Sequence, residues 1–293
     1  MNKKIFLFTL LLLITASCGF QPNPDDGKQT LFNGITYSHE IRTSPRPMRI
    51  HILRINLQAD GIGVLVTPGN PAEELPLKAL TTSQFLKQYR VQVAINGDAF
   101  TPWHSNTILD YYPHAGDKIK PTGFAASRGI QYAQDTNDEP TLYFSRTNQV
   151  QFNDKIGNLY NAISGTKMLV KNGQIEPGLE SDPEPRTALA LSKSAKELIL
   201  IVVDGRQKGF SEGATLQELA QIILSIGGQN GMNLDGGGSS TMVVETTNGE
   251  SRVLNSPINN EIPGRERDVG NHLGIFASQV GAKSSEESKK KKE

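Results

Sequence analysis

The segment Asn233-Leu-Asp-Gly-Gly-Gly-Ser-Ser-Thr-Met242 sets three successive glycines between one carboxylate, Asp235, and three hydroxyl side chains, Ser239, Ser240 and Thr241. Glycine turns without steric penalty, so the N–H groups of Gly236, Gly237 and Gly238 could converge on an anion. The hydroxyls add donors, and Asp235 adds a group able to give or take a proton. Binding phosphate needs the donors; breaking a bond beside it needs the acid or base. The segment lacks the Gly-Lys-Ser/Thr of a nucleotide P-loop, and β-branched residues follow it where a helix would be required. Ser239 has no glycine two residues later, which excludes a hydrolase nucleophile elbow. The plainer alternative is a tight hairpin turn.

A second cluster, Asp204-Gly-Arg-Gln-Lys-Gly-Phe-Ser-Glu-Gly213, follows an apolar run. Asp204 at a strand end occupies a common place for catalytic groups, and Arg206 offers a planar fork for phosphate oxygens. Glu212 precedes a helix and could face the same cleft. The alternative is an ordinary Asp-Gly turn with a surface arginine. Further candidates are Asn96 and Asp98 in Asn96-Gly-Asp-Ala-Phe100, Arg186 after Pro183 and Pro185, and Arg267 in a charged stretch near the last strand. The five histidines show no zinc spacing. If the chemistry lay at phosphorus, Asn96, Asp204, Glu212 and Asp235 could hold Ca²⁺ or Mg²⁺.

The elements that must position these groups suggest α+β: a mixed, largely antiparallel sheet with a few packed helices in one large domain. Residues 49–57 and Gly63-Val-Leu-Val-Thr-Pro68 read as two strands joined by a turn. Residues 80–89 form an amphipathic helix candidate, and Val91 to Asn96 a buried strand. Leu198-Ile-Leu-Ile-Val-Val203 is a continuous apolar strand that stops on Asp204. Thr215 to Gly227 is the clearest helix, with Thr215 and Glu218 at capping-box spacing and glycines at its end. Met232 starts a short strand, and Thr241-Met-Val-Val-Glu245 continues as β structure. Residues 101–161 are rich in turn formers, their strands are harder to place, and they read as long loops covering or lining a site.

The ends of the 293-residue chain differ from its body. Residues 1–17 carry Lys3 and Lys4, a short apolar run and the small residues Thr15-Ala-Ser17, the pattern of an export signal. The only cysteine, Cys18, follows directly; the stretch resembles a bacterial lipobox, although Thr15 replaces the usual larger aliphatic residue. Cys18 is then the lipidation site, residues 18–27 a tether, and the protein an exported one anchored to the cell envelope. A domain over 28–280 precedes a charged tail, 281–293, without enough apolar surface to order itself. Without Lys3, Lys4 and the tail's five lysines and three glutamates, the body holds 23 basic and 27 acidic residues. It has no basic field for nucleic acid.

Taken in order, Asn96–Phe100, Ser164–Gly173, Arg186–Ala190, Val203–Gly213, Leu234–Met242 and Asn255 to Phe276 resemble the phosphodiester glycosidase family. The resemblance implies hydrolysis of a sugar, N-acetylglucosamine-like, linked through its anomeric carbon to a phosphodiester. By position it implies Asp235, Asp204 and Glu212 as catalytic residues. It implies Asn96, Asp98, Arg186, Arg206, Gly236, Gly237, Gly238, Ser239, Ser240 and Arg267 as substrate-binding. The implied partner is a phosphorylated glycan of the envelope or of a host, with no cofactor firmly required. Three other readings stay open: a metal-dependent phosphodiesterase, a non-catalytic glycan-binding lipoprotein, and a glycosidase indifferent to phosphate.

Overall fold

The computed structural model describes residues 27–107, 110–135 and 138–281. Cys18, the export signal and nearly all of the charged tail lie outside them. The fold is α+β and its sheets are antiparallel throughout. Eight strands form the large sheet, in the order Gln29–Phe32, Ile35–Arg42, Met48–Asn56, Glu197–Val203, Arg186–Ser192, Gly228–Asn233, Lys167–Lys171 and Gln174–Ile175. A second sheet runs Ser251–Val253, Met242–Glu245, Val93–Asn96, His272–Phe276 and Gly63–Val66. A third runs Ile130–Ala133, Ala125–Ser127, Leu159–Ser164, Thr141–Ser145 and Val150–Phe152.

The side-chain period of a strand explains how these layers stack. In Glu197–Val203, Leu198, Leu200 and Val202 point into the core shared with the second and third sheets, against Val93, Ile95, Phe144 and Leu273. Ile199, Ile201 and Val203 point the other way, onto Leu216, Leu219, Ala220, Ile222 and Ile223 of helix Leu216–Ser225. Both faces are covered, so this strand reads as an unbroken apolar run. The second sheet repeats the device: Ala94, Leu65 and Val243 face away from the central core and meet Phe85 and Leu86 of helix Thr82–Tyr89. The result is four layers, helix, sheet, sheet and helix.

Both helices begin with a reciprocal cap. Thr215 accepts from the Glu218 N–H at 3.0 Å while Glu218 accepts from the Thr215 N–H at 2.9 Å. Thr81 and Gln84 do the same. Glu218 also takes an ion pair from Arg46, which ties the helix start to the turn before Met48–Asn56.

Residues 49–57 and 63–68 are two strands joined by a turn, as expected, but the strands do not pair with each other: Met48–Asn56 lies in the large sheet and Gly63–Val66 pairs with His272–Phe276 in the second. The turn between them carries the chain from one layer to the other, a distinction that apolar alternation cannot express. The expectation of long loops over residues 101–161 changes: short strands alternate with turns there and supply most of the third sheet. These strands are short and interrupted by turns, which hid them.

Candidate active site

The glycine-rich loop is the crossover between the two main layers. Gly228–Asn233 belongs to the large sheet and Met242–Glu245 to the second, so the hairpin alternative fails. Asn96, fully buried at the end of Val93–Asn96, holds the crossover at both ends. Its Nδ2 donates to the Asp235 carbonyl at 2.7 Å, and its Oδ1 accepts from the Thr241 N–H at 3.1 Å and the Thr187 hydroxyl at 2.8 Å. The Asp235 N–H donates to the Gly97 carbonyl at 3.0 Å. Gly97 also packs tightly against Asn271: a Cβ there would lie 2.9 Å from the Asn271 carbonyl oxygen and 2.2 Å from its Oδ1.

Within the loop, Gly237 to Ser239 make one tight helical turn, with Gly237 in the left-handed region at φ 60°. Most of its amides serve the fold. Gly236 N–H donates to Asp235 Oδ1 at 2.9 Å, Gly237 N–H to the Pro185 carbonyl at 2.8 Å, and Ser239 and Ser240 N–H back into the turn at 3.2 Å. The anion cradle of free amides expected from three glycines is therefore not what they build. They let side chains come close instead: a Cβ on Gly238 would meet Arg267 Nη2 at 2.4 Å, and one on Gly237 would meet Arg206 Nη2 at 3.1 Å.

Those arginines face a cleft of about 440 Å³, lined by Trp103, Thr166, Lys167, Glu180, Glu184, Arg186, Arg206, Leu216, Asn233, Leu234, Gly236 to Gly238 and Arg267. Each cation arrives by its own route. Arg186 starts a large-sheet strand, nearly buried, with Nε on the Ala214 carbonyl at 3.0 Å and Nη2 on the Asp182 carbonyl at 2.8 Å. Arg206 follows the neighbouring strand end in a left-handed turn, φ 56°, its Nε on Glu184 at 2.6 Å and its Nη1 3.7 Å from Glu261. Arg267 is held by Asn259 Oδ1 at 3.0 Å and lies 3.4 Å from the Ser239 hydroxyl. Four cationic and two acidic side chains give the cleft a positive balance, and burial pulls the pKa values of Arg186 and Arg267 down.

Asp235 is partly buried behind this wall, next to Gly236 of the lining, and is not itself among the residues that line the cleft. Desolvation raises its pKa, opposed by hydrogen bonds from Ser239 and Gly236 and by the charge of Arg267. Asp98 is more deeply buried, and loss of solvent, then the nearby Glu139 carboxylate, push it up to about 8 against the Gly123 N–H that it accepts at 2.8 Å. Ser239 and Ser240 are buried in the loop.

Asp204 and Glu212 stand elsewhere. Asp204 is only 1% exposed; it accepts from the Ser256 N–H at 2.8 Å, Asn255 Nδ2 at 3.0 Å and His51 Nε2 at 3.1 Å. Asn255 in turn donates to the Ser240 carbonyl, so Asp204 braces the far end of the glycine loop rather than lining the cleft. Glu212 accepts from the Gly209 N–H at 3.4 Å in its own turn and does not line the cleft either. The cation set read from the sequence does not assemble: the oxygens of Asn96 and Asp204 face protein donors. Among the described residues, no three or more His, Cys, Asp or Glu side chains form a group that could hold a metal ion. Sequence reasoning missed Trp103, Glu180, Glu184, Asn233 and Asn259 as site residues; only Trp103, the single tryptophan in a turn-rich stretch, carried a usable signal.

The family model for phosphodiester glycosidases matches residues 89–276, which hold every arginine of the cleft and the whole crossover loop. The chain belongs to the phosphodiester glycosidase family. No curated protein sequence matches it. The catalytic domain of zebrafish N-acetylglucosamine-1-phosphodiester alpha-N-acetylglucosaminidase, auto-inhibited by its pro-peptide, has a similar structure. Its TM-score is 0.58 at 22% identity over 84% of this chain and 83% of that one. A hypothetical protein from Synechocystis matches at TM-score 0.58 and 14% identity over 83% of this chain, which spans 62% of that protein. At these identities the likeness is one of fold.

Proposed function

We propose that the protein hydrolyses the bond between a sugar's anomeric carbon and a phosphodiester, with the phosphate as leaving group. The observation that carries this is the convergence of Arg186, Arg206 and Arg267 on the glycine loop in one cleft. Guanidinium forks match phosphate oxygens, and fixed positive charge is most effective where negative charge grows as a bond breaks. As the C1–O bond breaks, its electron pair goes to the phosphate oxygen. A phosphomonoester with a second pKa of about 6 departs without strong acid help. Water supplies the new C1–O bond, and one carboxylate suffices to take its proton.

Asp235 is our assignment for that base. It adjoins Arg267 and sits in a desolvated position that raises its affinity for a proton. Asp204 is a positioning residue in this scheme, Asn96 and Ser240 secure the loop, and Glu212 has no direct part. Arg206 is neutralised by Glu184, so an arriving phosphate must replace one carboxylate by another anion, an exchange of like for like. An N-acetylglucosamine-like sugar is the substrate we favour, by analogy with the enzyme activity named for the zebrafish relative. The export pattern of residues 1–17 and Cys18 supports a location at the envelope, with a lipid on Cys18. Loss of membrane association and of lipid label in Cys18→Ser would support that placement, and its persistence would oppose it.

The function is tested by comparing N-acetylglucosamine α-phosphate diesters with the corresponding methyl glycoside. Turnover confined to the phosphodiester agrees with the cation cluster as the leaving-group site. Equal turnover of both would remove phosphate from the mechanism.

A further inference from the structure

Trp103 is the only tryptophan of the chain, and 49% of it is exposed. It lines the cleft beside Arg267 and also a small adjoining cavity with Tyr111, Tyr112, Asn259 and Arg267. Its orientation is fixed from behind: the Tyr111 ring stacks on it at 5.5 Å with 20° between planes. The Arg267 guanidinium stands 5.7 Å from its centroid, near the limit of cation–π range, and half of the side chain remains open. Tyr111 and Arg267 cover part of the ring, and the remainder is apolar surface left in water at a cost. Around it the cleft is mostly charged or hydroxylated. A pyranose ring matches that setting, since its C–H face is apolar while its hydroxyls and substituents point outward to polar groups.

We propose that Trp103 is the platform on which a pyranose ring of the substrate stacks. The inference rests on the phosphodiester glycosidase reading and adds the residue that selects the ring. Arg267 belongs both to the platform and to the cation cluster, so the stacked ring lies directly next to the phosphate. Two rings satisfy this chemistry: the sugar that is released, and a hexose on the other side of the phosphate.

The single tryptophan makes the test direct. The full chain is titrated with N-acetylglucosamine 1-phosphate, a hexose 6-phosphate, the two free sugars and inorganic phosphate, while Trp103 emission is read. Saturable change with one sugar family, and little with inorganic phosphate, is expected, and the family that responds identifies the ring. Trp103→Ala should raise KM for the diester roughly tenfold, about 1.4 kcal/mol, with kcat within about twofold. Trp103→Phe should recover most of it, which a role in folding alone would not predict. Unchanged emission at saturating sugar phosphate, an equal response to inorganic phosphate, or wild-type KM in Trp103→Ala would each overturn the platform. If no diester is turned over, the functional reading fails, while the emission titration still decides for or against the platform.

Discussion

Replacing Gly238 by alanine adds one methyl group to the loop, and the structure says where the cost falls. The new Cβ would stand 2.4 Å from Arg267 Nη2 and 2.8 Å from its Cζ, against an ordinary contact of about 3.5 Å. The guanidinium must retreat by roughly 1 Å, loosening its bond to Asn259 and its approach to Ser239. A displacement of that size at a charge-stabilising group costs about 10²-fold in kcat/KM, or ~2.7 kcal/mol of transition-state stabilisation. The fold should barely notice. Gly238 has no left-handed φ to lose, the obstructing atoms end a flexible side chain, and alanine lowers the unfolded chain's entropy by about 0.4–1 kcal/mol. Steady-state kinetics on a sugar phosphodiester together with a thermal melt separate the two effects. Gly236→Ala is the contrast, because its Cβ would meet the Pro185 backbone oxygen at 2.9 Å and should cost stability as well. Wild-type kcat/KM in a folded Gly238→Ala protein would refute the placement of Arg267 in the phosphate site. A large drop in melting temperature would refute the claim that the perturbation is local.

Three further outcomes follow from the same geometry. Asp204→Asn should lower stability by about 1–3 kcal/mol, because Ser256, Asn255 and His51 lose part of their shared acceptor. Its kcat/KM should stay within about tenfold of wild type, and a thousandfold loss with an unchanged melt would return Asp204 to catalysis. Asp98 has a folded pKa of about 8, raised above its unfolded value, so its stabilising contribution is fully present below pH ~4 and is lost as pH rises through 8. The slope in that window is about 1.4 kcal/mol per pH unit, and Asp98→Asn should remove it. Parallel stability profiles for the two proteins in denaturant melts from pH 4 to 9 would contradict the burial argument. Arg206→Ala should cost about 10²–10³ in kcat/KM on sugar phosphodiesters and little on a glycoside without phosphate, and equal losses on both would count against its role.

The sequence disclosed its chemistry best where local rules act alone. The Thr215–Glu218 cap, the apolar run ending at Asp204 and the glycine segment are all short-range patterns, and all lie where expected. What it concealed was long-range. Nothing in residues 49–68 distinguishes a hairpin from a crossover between layers, since both need alternating apolar residues and a turn. The same holds for the glycines: their number suggested free amides, whereas Gly238 is small so that Arg267 can pass. Asp204 shows the limit most clearly. A carboxylate at a strand end can face a cleft or a neighbouring loop, and only the positions of Asn255 and Ser256, about fifty residues away in sequence, decide it. Glu184, between two prolines, owes its place in the cleft to its bridge with Ala214 and its pairing with Arg206, neither of which leaves a local signature.

The most direct test of the account is to hydrolyse an N-acetylglucosamine α-phosphate diester in ¹⁸O-water and weigh both products by mass spectrometry. Cleavage at the anomeric carbon, with phosphate held by Arg186, Arg206 and Arg267, predicts the label in the released sugar and none in the phosphate. Label in the phosphate would mean attack at phosphorus and would contradict the proposed mechanism.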